Sequence, residues 1–454
     1  MMRHETSSRH FFQQGVDAFR KGMLDQAEKL FQKSLTSVPE QADAWFWLGL
    51  ALAQQGRMDE AIPAFVQAAA FDPAKADYQY NLGLAMQHGG DVRAACDCYE
   101  KAVALRPGYA EAWYNLGVAR QSLGQELAAI AAYDRLLFLE IAPADRRFAL
   151  EVLYGLSFVL LARGEWTPAA WKAYESRWDF RPGFSRPATP FPEWDGRSSQ
   201  GKRLLFWPEQ GFGDNIMMFR YALSLAQQGA LVTVLASPLL QSLFQRQHEN
   251  VTVLSTVDPG EPYDGHRPMM GLLDALKVTP LSILSPSSYL HPRPDPRPGH
   301  WPLRGLQVGV AWSGGSRTGH DPLRSLSHLR ALSPLLTVPG IFWHSLQKGT
   351  REDECLEFGI PQLAKEFNDF DDTAAFIQHL DLVITVDTAV AHLAGALGKP
   401  VWILLPTPAE WRWYPYGETT PWYPSARLFI QKTPGDWSEV IDRVAIALHG
   451  LLSS

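Results

Sequence analysis

The chain has few cysteines, no cluster of positive charge and no long uninterrupted apolar stretch. Its 454 residues include three cysteines, Cys96, Cys98 and Cys355. So few thiols fit a reducing compartment, and Cys96 and Cys98 lack the companion ligands of a metal site. The formal net charge is -7 and the pI is about 6.0. Without a run of Lys and Arg, this charge excludes the electrostatic footprint of a nucleic-acid-binding protein.

The sequence also lacks the features of a membrane or secreted protein. It begins with MMRHETSSRH, which is too polar for a signal peptide. The longest apolar region is interrupted by Asp387, His392 and Lys399, so it is unsuited to the bilayer core. We therefore expect no transmembrane segment and a cytoplasmic protein.

A 34-residue repeat covers the first third of the chain. The repeated positions are Gly15, Gly49, Gly83 and Gly117; Ala27, Ala61, Ala95 and Ala129; Phe31, Phe65, Tyr99 and Tyr133; and Pro39, Pro73 and Pro107. This spacing is the tetratricopeptide pattern, in which each repeat is a pair of helices. Small residues let the helices approach, the aromatic ring fills the gap between repeats, and Pro ends the second helix. The pattern predicts a helical solenoid over residues 8–180, with the looser segment 144–180 as its cap.

Two asparagines recur on the predicted repeats. Asn81 and Asn115 lie 34 residues apart, each just before a Leu-Gly pair. Stacked repeats form a concave surface, on which equivalent amides could bind an extended peptide through paired hydrogen bonds. We interpret them as acceptor-binding residues for a protein or peptide, although Asn is also common at this repeat position for structural reasons.

The remaining chain divides at two proline-rich segments. A length of 454 residues suits about three domains of roughly 150 residues each. Residues 181–202 are predicted as a linker, whose aromatic residues indicate that it packs along a surface. The second segment, 285–302, separates two α/β halves at 203–300 and 305–454. The predicted fold class is therefore α + α/β.

The most informative motif is a strand–turn–helix–strand unit at residues 382–405. A buried strand ends before Asp387 and Thr388, which we predict to cap the helix that begins at Ala389. Gly398 ends this helix before a second apolar strand. The helix N-terminus would lie at the carboxyl edge of a parallel sheet, where its amides and dipole attract phosphate. His392 comes one turn into the helix.

A second motif joins a strand to a glycine-rich helix start. Residues 203–207 form the predicted strand, and the sequence EQGFGDNIMMFRYALSLAQQG follows at 209–229. Gly213 is a candidate for binding the nucleotide-sugar, since glycine lets backbone amides approach phosphate oxygens, and Asp214 is the candidate base for removing a hydroxyl proton. The alternative is that Asp214 only caps the helix, and Glu209 is a weaker candidate for the base.

These two motifs, about 170 residues apart, resemble those of the ADP-heptose:lipopolysaccharide heptosyltransferases, glycosyltransferase family 9. The resemblance implies a GT-B fold of two Rossmann-like domains and an inverting, metal-independent transfer from a nucleotide-sugar, with Asp214 as the catalytic residue. The sequence departs from the family in two places. Ala389 replaces the usual Gly, and the phosphate loop offers Arg317 and Arg324 instead of Lys. Donor sugar and nucleotide base stay open.

Further donor-site candidates follow the predicted strand ends. Gly314, Arg317 and Arg324 lie in the loop after the strand 307–312, where glycine amides and guanidinium groups suit phosphate oxygens. The other candidates are Gln347 and Lys348 for the nucleotide and Trp411 and Trp413 for stacking on a sugar or base. Lys348 could equally be exposed, and the tryptophans could equally pack against residues 422–424. The Asp-x-Asp sequence at 369–371 is better explained as a helix cap than as a metal site.

The sequence thus predicts an enzyme that needs no cofactor and no metal. We expect a glycosyltransferase that moves a sugar from a nucleotide-sugar to an acceptor recruited by the repeats. Repeats followed by a GT-B region are similar in architecture to the eukaryotic O-linked N-acetylglucosamine transferases, which implies a protein hydroxyl as the acceptor. Two alternatives stay open: a non-catalytic repeat scaffold, and a transferase for a saccharide or lipid-linked acceptor.

Overall fold

The chain divides into two compact units, residues 1–159 and 160–454. The computed structural model describes residues 2–138, 146–180, 186, 189–209, 211–257, 260–295, 305–314, 324–349, 351–414 and 417–453. Each unit is described by itself below.

The first unit is a series of helices, and each odd-numbered helix up to α7 packs against the helix that follows it. The helices are α1 (Met2–Arg20), α2 (Leu24–Ser37), α3 (Ala42–Gln54), α4 (Met58–Phe71), α5 (Ala76–His88), α6 (Val92–Leu105), α7 (Ala110–Ser122), α8 (Glu126–Phe138) and α9 (Arg146–Ala162). The boundary between the units falls within α9. The predicted repeat array is confirmed.

The repeated glycines make room for the repeated aromatic rings. A Cβ atom at Gly83 would lie 2.6 Å from the Tyr99 ring, and one at Gly117 would lie 2.5 Å from the Tyr133 ring. Both distances are shorter than any real contact, so only Gly fits. The ring occupies the space between the two helices of its own repeat, whereas the sequence analysis placed it between repeats. Phe31 also contacts the next repeat. Its ring stacks on that of Trp47, with the two ring centroids 6.4 Å apart.

The second unit contains helices of 4 to 16 residues and nine strands in its described residues. They are, in chain order, α10 (Pro168–Glu175), α11 (Arg177–Phe180), β1 (Arg203–Trp207), α12 (Phe212–Gln227), β2 (Leu231–Leu235), α13 (Pro238–Gln245), β3 (Val251–Leu254), β4 (Gly265–Pro268), α14 (Leu272–Ala275), β5 (Leu306–Ala311), α15 (Ser333–Leu336), β6 (Ile341–Ser345), α16 (Phe370–Ile377), β7 (Leu382–Val386), α17 (Ala389–Ala396), β8 (Val401–Leu405), β9 (Ala426–Ile430) and α18 (Ser438–Leu452). Single 3-10 turns lie at Pro280–Ser282, Leu329–Leu332, Glu352–Phe358 and Leu363–Glu366.

The strands form two parallel sheets. The first has the order β3-β2-β1-β4 and the second has the order β6-β5-β7-β8-β9. Every residue of β7 and β8 is buried, as expected for strands rich in Val, Ile and Leu in a sheet covered on both faces. This architecture confirms the predicted parallel α/β region. The strand order reverses between β1 and β4 and between β5 and β7, the positions at which such sheets bind ligands.

The two sheets are joined through α12 and α17, which pack against each other. The proline-rich segment after residue 285 also contacts α17, because the amides of Tyr289 and Leu290 both donate to the carbonyl oxygen of Ala396. Within the predicted linker, Glu193 forms a parallel bridge with His266 of β4. These contacts place the N-termini of α12 and α17 near each other.

Helices α10 and α11 pack within the second unit. The ring centroids of Trp178 and Trp207, which lies in β1, are 4.6 Å apart, and those of Trp171 and Trp411 are 5.6 Å apart. The sequence analysis assigned these helices to the end of the repeat array, at residue 180. Among the helices that the structure describes, none has the length and apolar character needed to cross a membrane.

Candidate functional site

The reversal of strand order in the second sheet brings two predicted loops together. Gly314 follows β5, and Asp387 and Thr388 follow β7. A Cβ atom at Gly314 would lie 3.7 Å from the Asp387 carbonyl oxygen and 4.0 Å from the Thr388 methyl carbon. The Gly314 amide donates to Ser325 Oγ at 3.1 Å, which holds the loop in this position. These residues therefore share one crevice at the carboxyl edge of the sheet.

The N-terminus of α17 faces this crevice without a side-chain cap. Thr388 occupies the N-cap position, as predicted, but no side-chain hydrogen bond caps the helix. The Thr388 hydroxyl lies instead 3.0 Å from Thr385 Oγ1, which corrects the predicted Asp-Thr cap. The first amides of α17, beginning at Ala389, thus carry the positive end of the helix dipole. The N-cap side chain accepts no hydrogen bond from them.

Asp214 lies in the first turn of α12, at the carboxyl edge of the first sheet. Gly211 is the N-cap residue, so the alternative role of Asp214 as the helix cap is not observed. Asn215 fixes the preceding turn, because its side chain accepts from the Glu209 amide at 2.9 Å and donates to the carbonyls of Glu209 and Gly211 at 2.9 and 2.8 Å. The turn thus places the Asp214 carboxylate beside the second half of the unit.

Glu209, the weaker candidate for the base, is engaged in a buried ion pair. Both of its carboxylate oxygens accept from Nη2 of Arg177, at 3.1 and 3.0 Å, and Oε1 also accepts from the Met270 amide at 3.0 Å. The side chains of Arg177 and Glu209 are only 2% and 3% exposed. Glu209 therefore has a structural role at the end of β1.

Five charged side chains form an alternating series that we call the ion-pair chain. Asp214 Oδ1 accepts from Arg412 Nε at 2.7 Å, and Arg412 Nη1 donates to Glu410 Oε2 at 2.6 Å. The other oxygen of Glu410 accepts from Arg324 Nη1 at 3.2 Å. Arg324 Nη1 also lies 3.7 Å from Asp387 Oδ2. The predicted residues Asp214, Arg324 and Asp387 are thus linked, and the links, Arg412 and Glu410, were not predicted as site residues.

His392 is buried between the two halves. Its ring stacks on Trp413 at 4.6 Å, and Nδ1 lies 3.0 Å from the Tyr423 hydroxyl. A Cβ atom at Gly213 would lie 2.5 Å from His392 Cδ2, so the close approach of α12 and α17 requires glycine there. Burial, followed by the charges of Arg412 and Arg220, lowers the pKa of His392 to about 3. The imidazole is therefore neutral at physiological pH.

Arg220 is a buried cation that the sequence analysis missed. Its guanidinium donates to the carbonyls of Leu284 and Trp422 at 2.7 and 2.6 Å and to the Tyr289 hydroxyl at 3.2 Å. No carboxylate pairs with it among the residues that the structure describes. Arg220 connects α12 to the segment between the halves and to the second half, and its charge adds positive potential near His392.

Three of the predicted nucleotide or stacking residues are occupied by contacts within the protein. The Gln347 side chain accepts from the amides of Trp312 and Ser313, at 3.1 and 2.9 Å, and donates to the Ser313 carbonyl at 3.0 Å. Lys348 donates to the Phe367 carbonyl. Trp413 is 1% exposed, and its ring is covered by His392. Gln347 and Trp413 are buried and present little surface to a ligand, whereas Lys348 is exposed.

The remaining predicted residues are Trp411, Arg317 and the two repeat asparagines. Trp411 is buried and packs on Trp166, at 5.8 Å, and on α10. Arg317 lies outside the described residues. In the first unit, Asn81 donates to the Asp77 carbonyl at 2.8 Å, and Asn115 donates to the Glu111 carbonyl at 3.0 Å. Both amides are partly buried, and Asn115 also donates to the Tyr80 hydroxyl of α5 at 3.2 Å.

The acidic pair at 369–371 caps a helix, as expected. Asp369 Oδ1 accepts from the Asp372 amide at 2.9 Å at the start of α16. Asp371 accepts from Arg246 at 2.5 Å, and Asp372 is bonded to Arg293. All three carboxylates therefore have structural partners.

Burial also changes the ionisation of Asp387. Removal from water, and then the negative charge of Glu410, raise the pKa of the Asp387 carboxyl to about 6, against the opposing effect of Arg324 and Arg412. The carboxyl consequently exchanges its proton close to neutral pH.

The Asp387→Asn variant should be more stable than the wild type at pH 8 and equally stable at pH 4. The wild-type pKa rises from 3.8 in the unfolded chain to about 6 in the folded protein. The folded state therefore binds the proton more tightly, and its stability falls as the pH rises from about 4 through about 6. Two pKa units correspond to at most about 3 kcal/mol. Calorimetric melting of both proteins across this range tests the prediction, and a difference in melting temperature that is independent of pH would contradict it.

Comparison with known proteins identifies the same two regions. The descriptions "Tetratricopeptide repeat" and "TPR repeat" match residues 12–78, 110–140 and 88–124. "Glycosyltransferase family 9 (heptosyltransferase)" matches residues 356–426, which include α16, β7, α17, β8 and the Glu410–Arg412 loop. The chain therefore carries tetratricopeptide repeats in its N-terminal region and a heptosyltransferase-family domain in its C-terminal region.

The comparisons also found similar individual proteins, each of which covers part of the chain. Protein FlbA of Caulobacter vibrioides (strain ATCC 19089 / CIP 103742 / CB 15) is 29% identical over 333 residues, which are 65% of this chain and 54% of FlbA. The chain thus spans about half the length of that relative. A crystal structure of MamA matches with 25% identity and a TM-score of 0.33, over 36% of this chain and 91% of MamA. YrrB, described as a TPR protein with an unusual peptide-binding site, matches with 18% identity and a TM-score of 0.34, over 38% and 86% of the two chains.

Proposed function

We propose that this protein is an inverting glycosyltransferase that uses a nucleotide-sugar donor and an acceptor recruited by its repeats. One observation carries the proposal: Asp214, a carboxylate from α12 in the first half, binds the guanidinium of Arg412 in the second half, and Glu410 links Arg412 to Arg324 beside Asp387 at the N-terminus of α17. A base for the acceptor and an anion site for the leaving group are thereby adjacent. The match of residues 356–426 to glycosyltransferase family 9 supports the same chemistry.

Asp214 is the proposed base. The acceptor hydroxyl oxygen attacks the anomeric carbon of the donor, and Asp214 takes the hydroxyl proton. The bond from the anomeric carbon to the diphosphate oxygen then breaks, and its electron pair stays on that oxygen. A single displacement of this kind inverts the anomeric centre and needs only one carboxylate. The side chain of Asp214 is 19% exposed, so it is within reach of a substrate.

The diphosphate leaving group would be stabilised by the second half of the unit. Arg324 and Arg412 provide charge-assisted donors, and the uncapped amides at the start of α17 add the helix dipole. Each preorganised donor of this kind contributes on the order of 3 kcal/mol to transition-state stabilisation. Neutral His392 and buried Arg220 hold the two halves in register. We propose that these groups replace a metal ion and that no cofactor is required.

We further propose that the acceptor is a protein hydroxyl selected by the repeats. A helical repeat array presents an extended surface for a peptide, and the side-chain oxygens of Asn81 and Asn115 can still accept hydrogen bonds. The cytoplasm is the proposed compartment, because the three cysteines are free and buried in the structure and fit reducing conditions.

The test is a transfer assay with the full chain. Radiolabelled ADP-, GDP-, UDP- and TDP-sugars are incubated with the protein and with a cytoplasmic extract, and label is counted in protein, lipid and saccharide fractions. We expect one donor to be consumed and its label to enter the protein fraction. The Asn81→Ala/Asn115→Ala variant should then label protein more slowly while hydrolysing donor at the same rate. Label in lipid or saccharide would assign a different acceptor, and no consumption of any donor would favour the scaffold.

A further inference from the structure

Glu410 occupies the position between two arginines of the donor site. Its oxygen Oε1 lies 3.2 Å from Arg324 Nη1, and its oxygen Oε2 lies 2.6 Å from Arg412 Nη1. Each oxygen thus accepts from a different guanidinium, which is how neighbouring oxygens of a diphosphate would bind the same pair. The Glu410 side chain is 28% exposed, so an anion from solution can reach it.

The charges of the ion-pair chain do not balance. It contains three carboxyl groups, Asp214, Asp387 and Glu410, and two guanidinium groups. A diphosphate that bound there with Glu410 in place would meet its negative charge a few ångströms away. Release of the two arginines by Glu410 would remove this repulsion.

We propose that Glu410 is an internal stand-in for the donor diphosphate. Glu410 pairs with Arg324 and Arg412 before the donor binds, and the diphosphate then displaces it. This inference rests on the proposed function and adds a residue that competes with the substrate. Arg412 is bonded through Nε to Asp214 at 2.7 Å and through Nη1 to Glu410, so the proposed diphosphate position and the proposed base share one guanidinium.

The proposal predicts that removing the Glu410 charge strengthens anion binding. The Glu410→Gln variant should bind nucleoside diphosphate about 3- to 10-fold more tightly than the wild type. Gln has the size of Glu but carries no charge, so it competes less strongly for the two guanidinium groups. A residue that contacted the donor directly would show the opposite effect. The Glu410→Gln/Arg412→Gln variant should lose the gain, since one of the two donors is then absent.

Isothermal titration calorimetry with ADP, GDP, UDP and inorganic pyrophosphate measures this effect. The control is Glu418→Gln, because Glu418 forms an exposed ion pair with Arg427 at 2.8 Å in the same unit and should leave affinity unchanged. Tighter binding by Glu410→Gln alone, for the nucleotide and for pyrophosphate alike, supports the stand-in. Equal or weaker binding, with wild-type binding intact, overturns it and leaves the proposed function standing. Binding of no diphosphate by any variant overturns both.

Discussion

Replacing Asp214 with Asn should lower the rate of sugar transfer by about 10²- to 10⁴-fold, the usual contribution of a positioned general base. The affinity for nucleoside diphosphate should stay within a few-fold of the wild type, because Asn keeps the size of the side chain and Arg324 and Arg412 are unchanged. A loss in kcat with unchanged donor binding is the signature of a group that acts in the transition state.

The matched control for this variant is Asp442→Asn, an exposed position on α18 in the same unit. It carries the same chemical change and should leave turnover at the wild-type value. Turnover of Asp214→Asn at the wild-type rate would remove Asp214 as the base. Equal loss of turnover and of diphosphate binding would instead assign Asp214 to the arrangement of Arg412.

Replacing Arg177 with Met should lower the free energy of unfolding by about 3 to 5 kcal/mol, the usual cost of removing one partner of a buried ion pair. Met keeps most of the volume but leaves the Glu209 carboxylate buried without its cation. Glu175 lies 3.2 Å from the same guanidinium, and burial already raises its pKa. It loses this contact as well and keeps the longer one to Arg186 at 4.0 Å. Urea unfolding followed by tryptophan fluorescence measures the change.

A second substitution separates charge from packing in this cluster. The Arg177→Met/Glu209→Gln variant should recover part of the lost stability, because it no longer buries the Glu209 carboxylate without its cation. The control Arg197→Met, whose partner is the exposed Asp195, should change stability by less than about 0.5 kcal/mol. An Arg177→Met protein as stable as the wild type would show that the buried pair does not hold the end of β1.

Much of the fold was predictable because its signals are local or periodic. The repeat glycines and their aromatic partners recur every 34 residues, and the apolar runs of β7 and β8 can only be buried strands. The contacts that each polar side chain makes were harder to predict. Gln347 is suited by type to a nucleotide, but its contacts with the backbone of residues 312 and 313 could not be known without the turn geometry.

The ion-pair chain was only partly predictable from the sequence. Arg412 and Asp214 lie 198 residues apart, and no local pattern links a loop of one half with a helix of the other. Trp413 was proposed for stacking because it follows a strand, whereas its position against His392 arises from the packing of α12 on α17. One signal for the ion-pair chain was available in the sequence. Charged residues lie among the tryptophans after β8, and a charge in such an aromatic segment requires a partner.

The central claim is that the second unit binds a nucleotide diphosphate beside Asp214. A thermal-shift panel of ADP, GDP, UDP and TDP, each with its common sugar conjugates, tests it most directly, because a ligand that binds only the folded state raises the melting temperature by mass action. The account predicts a clear shift with one nucleotide in the wild type and in Asp214→Asn, and a reduced shift in Arg324→Ala. A well-folded sample that shifts with none of them would contradict the account and favour a repeat scaffold.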